Sequence, residues 1–158
     1  MADLVRYVVA AMRNELTRQL KGDEDVRPHV YKDHLGYATI GVGRLVDDRK
    51  PGSGLRPSEI AFMLNNDIDD RIEQLTRRLP WFQDLDDVRK AVLLNMSFQM
   101  GVDGLLGFKN TLKLVEQGNY ESAAENMLKS LWAKQTPARA KRMADQMKTG
   151  QWQYSEGA

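Results

Sequence analysis

The chain contains no cysteine. That excludes a disulfide framework, a thiolate metal site and a thiol nucleophile. Histidine is almost as scarce: only His29 and His34 are present, and neither opens an H-E-x-x-H pattern. A histidine-built metal centre is therefore not expected. Net charge is nearly missing too, with 23 basic side chains against 22 acidic ones for a formal +1. That balance gives no electrostatic case for a nucleic-acid partner. A bilayer-spanning run is also lacking. The most apolar early stretch, residues 4–12 (LVRYVVAAM), is interrupted by Arg6 and preceded by Asp3. It is too short to span a membrane and lacks the positive start and longer apolar core of a secretory signal. The expectation is a protein made and folded in a cytoplasm, without stable membrane insertion. The chemistry left is that of carboxylates, hydroxyls and amides, with no cofactor called for.

What is present fits one domain, or one domain pinched into two lobes, since the 158 residues are 42% hydrophobic. Residues 3–21 read as an amphipathic helix. Leu4, Val8, Met12, Leu16 and Leu20 recur every four residues with Val5 and Val9 beside them, while Arg6, Arg13, Arg18 and Lys21 lie largely off the stripe. Such a helix is expected to cover a core; the sharper alternative is a helix lying on a membrane surface. Residues 29–46 change character. They are rich in β-branched and aromatic residues with glycines between, and predict a β-hairpin. Residues 47–57 (DDRKPGSGLRP) read as loop.

The remainder predicts helices. Pro57 suits a first helical turn, and the period carries that helix to about Leu79, where Pro80 ends it. Residues 88–100 are apolar on several faces, as expected of the buried centre of a bundle. Gly101, Gly104 and Gly107 predict a turn, followed by short helices over 110–117 and 120–132. A last helix starts at Thr136-Pro137, a hydroxyl N-cap before a proline. The fold class is α+β: a small hairpin lobe over about 22–60, joined by a long helix to a larger, mostly helical lobe over about 61–158.

The informative cluster is residues 22–43, GDEDVRPHVYKDHLGYATIGVG. Glu24 falls at the end of the first helix, Asp33 in or beside the hairpin turn, and Thr39 on the returning strand. Two carboxylates and a hydroxyl so disposed suit glycoside hydrolysis. One carboxylic acid protonates the departing oxygen, while the other carboxylate activates water or attacks the sugar. Spacing alone is a weak signal among 22 acidic residues.

Beyond that chemistry, the run E-x8-D-x5-T formed by Glu24, Asp33 and Thr39 resembles the catalytic signature of the phage lysozymes (endolysins) of glycoside hydrolase family 24, and of the T-even phage type most closely. VYKD, GYATIG and VG stand at matching offsets around it. LNNDID, LDDVRKAVLLNMSFQMG, GFKNTL, AAENMLKSLW, KQTPARAKR and TGQW follow in the family's order. The likeness runs from about residue 15 to the C-terminus. The first 14 residues, read here as an extra helical segment, have no counterpart, and the loop before Pro57 is shorter than in the family.

The resemblance implies a lysozyme-like fold and an inverting muramidase. It would cleave the β-1,4 bond between N-acetylmuramic acid and N-acetylglucosamine of bacterial peptidoglycan, for host cell lysis. Glu24 would be the general acid, Asp33 would hold or deprotonate the water, and Thr39 would bind that water from the other side. An inverting pair places its carboxyls roughly 6.5–9.5 Å apart. Leu45, Phe98, Thr111 and Asn126 match saccharide-contacting positions, and Gln99 and Gln135 could add amide hydrogen bonds to N-acetyl groups. Arg139 matches an arginine near the acid, and Arg44 would face Asp67 in a salt bridge. The enzyme is expected to act as a monomer on glycan strands. It would be held in the host cytoplasm until released to the periplasm, through a separate membrane-permeabilising protein.

Two other readings stand beside this one. A lytic transglycosylase cuts the same bond without water, but then Asp33 and Thr39 would have no water to position. A catalytically inactive saccharide-binding virion domain would have no use for an intact Glu24, Asp33 and Thr39. Residues 129–148 carry six basic side chains against Asp145 alone. That is a solvated helix face or a surface drawn to an anionic cell wall.

Overall fold

A computed structural model describes residues 2–24 and 26–156 of the chain, with side chains from residue 10 onward in those ranges. Among them are seven α-helices and one three-stranded sheet. The chain divides into two compact units, Met1–Phe62 and Met63–Ala158, with the division falling inside a helix.

The first unit holds α1 (Ala2–Asp23), then β1 (Arg27–Lys32), β2 (Ala38–Gly41) and β3 (Arg44–Leu45), and the start of α2 (Pro57–Arg78). The strands form an antiparallel meander in the order β1-β2-β3. Tyr31 lies opposite Thr39 and Lys32 opposite Ala38, with an irregularity between Arg27 and Tyr31. Thr39 then faces Leu45, and Ile40 faces Arg44. A two-stranded hairpin was the expectation. The third strand exists because Gly41 and Gly43 take positive φ (70° and 68°) and reverse the chain within two residues. The stripe of α1 was expected to cover a core, but Met12, Leu16 and Leu20 are exposed. Among the described residues the first unit contributes no buried apolar cluster for them to cover. Leu4, Val5, Val8 and Val9 lie outside the described side chains.

The second unit is a helical bundle. It holds most of α2, then a 3-10 turn at Phe82–Asp84, α3 (Asp87–Leu106), α4 (Lys109–Glu116), α5 (Tyr120–Leu128), α6 (Leu131–Gln135) and α7 (Pro137–Thr149). The bundle's centre is α3, started by Asp86, whose side chain accepts from the Arg89 amide. Its buried residues Val92, Leu93, Met96, Val102 and Leu105 join Leu75, Phe82, Met127, Ala140 and Met147 in one core. The turn expected at Gly101 is a kink instead: Gly101 leaves helical geometry (φ 77°, ψ 164°) and the helix resumes, drawn on by burial of Val102 and Leu105.

The single helix expected over 120–132 is two helices. Ser130 caps the second by accepting from the Ala133 amide. Thr136 does not cap α7 with its hydroxyl, which donates back to the Trp132 carbonyl at 3.0 Å. Gly150, at φ 67°, closes that helix in the left-handed region. No single helix among the described residues is long and apolar enough to cross a membrane.

Candidate active site

In the first unit, Glu24 follows the last turn of α1, its amide donating to the Leu20 carbonyl at 2.8 Å. Its carboxylate lies against the β2–β3 turn. A Cβ built on Gly43 would stand 2.8 Å from Glu24 Oε2 and 3.1 Å from Cδ. Gly43 is thus fixed twice over, by its positive φ and by the close approach of the carboxylate.

Asp33 follows β1 and makes an Asx-type turn. Its Oδ1 accepts from the amides of Leu35 and Tyr37, both at 2.9 Å. Its own amide donates to the Tyr37 carbonyl, and its carbonyl accepts from the Gly36 amide. Thr39, 3% exposed, donates from Oγ1 to that same Tyr37 carbonyl at 3.0 Å. The backbone of Tyr37 therefore holds both side chains. Among the described residues Asp33 Oδ2 has no hydrogen-bond partner, and Thr39 Oγ1 keeps its lone pairs for a donor.

Two further carboxylates brace this arrangement, and sequence reading missed both. Asp47, 5% exposed, accepts from the Ala38 amide at 2.8 Å and grips Arg49 through both oxygens. The Arg49 hydrogen bonds come first, with the Ala38 amide, in holding the Asp47 carboxyl well below the usual range. Arg49 and Lys50 also lie over the Tyr37 ring, at 5.2 and 4.2 Å from its centroid. Glu59, in the first turn of α2, takes Arg44 in a two-pronged pair with both contacts at 2.8 Å, and accepts from the Arg56 amide at 2.7 Å. The Arg44 hydrogen bonds and then the Arg56 amide bring the Glu59 carboxyl down to about 2. Arg44 was expected to pair with Asp67. The structure gives it Glu59 instead, because a carboxylate at the helix start meets the guanidinium in fork geometry while satisfying an orphan helix amide. Leu45, the saccharide-contact candidate of this unit, lies half-buried on β3.

The second unit carries the other candidates. Gln99 accepts from Trp132 Nε1 at 2.8 Å. With Gln135, Gly107, Phe108 and Ser130 they line a cavity of about 540 Å³. Phe108 and Trp132 meet edge to face at 6.2 Å in its wall. A neighbouring cavity of about 250 Å³ shares Gly107, Phe108 and Ser130 and holds Thr111 and Asn126. Thr111, 1% exposed, donates to Asn126 Oδ1 at 2.7 Å. Phe98 and Arg139 line a different cavity, of about 440 Å³. Arg71 lies 5.1 Å above the Phe98 ring. Arg139 Nε donates to Asn95 Oδ1 at 2.9 Å and its Nη2 to the Asn95 carbonyl at 3.0 Å. Asn95 was not singled out in the sequence, since an asparagine within an apolar helix carries no local mark of an arginine 44 residues on.

The phage lysozyme family model matches residues 21–156. The chain belongs to the phage lysozyme family. It is accordingly a glycoside hydrolase. A Dictyostelium discoideum protein named probable T4-type lysozyme 1 is 32% identical, over 88% of this chain and 96% of its own length. The pre-baseplate central spike protein of Enterobacteria phage T4 is 30% identical over 85% of this chain, which spans only 28% of that protein. The peptidoglycan hydrolase gp36 of Pseudomonas phage phiKMV is also 30% identical, over 84% of this chain and 15% of its own length. Lysozymes that stand nearly alone and lysozyme-like stretches inside long phage proteins are thus both similar to this chain.

Proposed function

We propose that this enzyme hydrolyses the β-1,4 bond between N-acetylmuramic acid and N-acetylglucosamine in peptidoglycan, with inversion, and serves to lyse a bacterial host. The observation that carries the mechanism is the shared hold of Tyr37 on Asp33 and Thr39. It ties an acceptor carboxylate and a hydroxyl to the backbone of one residue before any substrate arrives, which supports the preorganisation a water nucleophile needs. A water between them donates one hydrogen to Asp33 Oδ2 and the other to Thr39 Oγ1. As its oxygen bonds to the anomeric carbon, Asp33 takes its proton. Glu24 gives its own proton to the departing oxygen, so the bond breaks into a hydroxyl and a reducing sugar. Solvent then restores the starting protonation of both carboxyls.

Family membership supports the substrate class, as does the peptidoglycan hydrolase named among the relatives. Cavities of the second unit are lined by groups of a kind that suits a glycan: the amides of Gln99, Gln135 and Asn126, the hydroxyl of Thr111 and the ring of Phe98. Leu45 adds an apolar contact in the first unit. We further propose that the enzyme acts as a monomer, and that a separate membrane-permeabilising protein releases it from the host cytoplasm to the periplasm.

Product analysis on purified peptidoglycan tests the reaction. A free reducing muramic acid end is the expected product. An anhydro sugar would show a water-free transglycosylase, and no cleavage at all would show a binding domain.

A further inference from the structure

The cavity beside Thr111 and Asn126 has a charge of one sign. Its wall comprises Gly107, Phe108, Lys109, Asn110, Thr111, Asn126, Lys129 and Ser130, two cations and no carboxylate. Two other exposed lysines of this unit are paired, Lys141 with Asp145 at 2.8 Å and Lys148 with Glu121 at 3.1 Å, while Lys113 and Lys134 are exposed without an ion-pair partner among the described residues but line no part of this cavity. Lys109 and Lys129 have no such partner among the described residues. They stand at the start of α4 and just past the end of α5, so two different elements bring them to one cavity.

The groups between them are oriented as donors. Thr111 spends its proton on Asn126 Oδ1, which leaves the Asn126 amide nitrogen, with two hydrogens, without a hydrogen-bond partner among the described residues. Ser130 Oγ is spent on the Met127 carbonyl and the Ala133 amide. A neutral sugar hydroxyl needs acceptors as well as donors. A cavity lined by two unpaired lysines and an asparagine, with no carboxylate in its wall, instead suits a carboxylate.

We propose that Lys109 and Lys129 form a carboxylate-reading subsite, which takes a free carboxylate of the peptide stem carried by N-acetylmuramic acid. The proposal rests on the peptidoglycan reading above. It makes the two lysines specificity-determining residues, with Thr111 and Asn126 recognising the glycan between them. Both lysines touch solvent, so each pair contributes modestly, and its effect falls on binding more than on the chemical step.

The test crosses one change in the enzyme with one in the substrate. Native peptidoglycan is compared with the same material after carbodiimide coupling to ammonia, which keeps the stems and converts their carboxylates to amides. Release of reducing ends is followed for wild type, for Lys109→Gln/Lys129→Gln, and for the control Lys113→Gln/Lys134→Gln, which loses the same charge elsewhere. For wild type, KM is expected to rise about fivefold on amidated substrate with kcat nearly unchanged. The Lys109/Lys129 variant should show the raised KM on both substrates, and the control should behave as wild type. Wild type indifferent to amidation, or a Lys109/Lys129 variant that keeps the wild-type preference, overturns the subsite alone. A control that loses the preference as well shows a net-charge effect and also overturns it. Wild type that releases no reducing ends from native material overturns the hydrolytic reading, and the subsite with it.

Discussion

The two units of this lysozyme are held together by opposite means. Every buried apolar side chain among the described residues, from Leu75 to Met147, belongs to the second unit. In the first unit the only buried described side chains are Thr39 and Asp47, and both are polar. One unit is stabilised by removing hydrocarbon from water. The other is braced by carboxylates: Asp33 on two amides, Asp47 on Ala38 and Arg49, and Glu59 on Arg44 and Arg56. The difference suits the proposed mechanism. A core tolerates side-chain exchange if volume is kept, but fixes no single polar atom. A hydrogen-bonded brace adds little net stability and fixes atoms closely, as the proposed water-directing pair would require.

The sharpest way to separate the units is to remove function without touching structure. Glu24→Gln keeps shape and hydrogen bonding but has no proton to give. Turnover should fall about 100- to 10,000-fold, with the circular dichroism spectrum and melting temperature of wild type. Full activity in a folded variant would remove Glu24 from the mechanism. The converse experiment is in the other unit. Met96 is fully buried in the bundle, and Met96→Ala should cost about 2–5 kcal/mol in denaturant unfolding. A loss below about 1 kcal/mol would mean the bundle core is not what stabilises that unit.

A third change tests how closely the first unit is fitted. In Gly43→Ala the new methyl meets Glu24 Oε2. Activity should drop by about ten- to hundredfold, with unfolding of the second unit unaffected. Wild-type turnover would show that Glu24 is free to relocate.

The smallest effect is acid sensitivity. Glu59, ordinarily near 4.5, sits at about 2 when paired. A carboxyl lowered on folding stabilises fully above its unfolded value and loses that stabilisation as pH falls through the folded one. The Arg44–Glu59 brace should therefore weaken between about pH 4.5 and 2, with Asp47 following at still lower pH. Protection of the β3 amides from exchange, taken relative to the intrinsic rate at each pH, should fall over that window in wild type. In Glu59→Gln it should already be low at neutral pH, without that acid step. An unaltered step in the variant would assign it to other carboxyls.

The contrast between units also governs how much the sequence showed. Helical periodicity and proline located the starts of α2, α3 and α7 closely, though not the end of α3 at Leu106, because an apolar face buried in one core leaves a regular trace. The boundary at Ser130 was hidden because Tyr120 to Trp132 keeps its apolar pattern across two helices, and only the cap separates them. β3 was lost for the opposite reason: two residues, Arg44 and Leu45, are too few for alternation. At the site, Glu24, Asp33 and Thr39 stood out by type and spacing against a known family. Their braces did not. Asp47 and Arg49 lie in a charged, glycine- and proline-rich run that reads as solvated loop, and Arg44 could have met any of several acids on the next helix. Partner choice in such a unit is set by backbone geometry at turns, which residue spacing does not encode.

The central claim is that water, directed by Asp33 and Thr39, enters opposite the leaving sugar. Proton NMR of the product in the first moments of hydrolysis tests it most directly, before mutarotation mixes the anomers. The α anomer at the new reducing end is the predicted result. A β anomer formed first would contradict the account and require a covalent glycosyl intermediate.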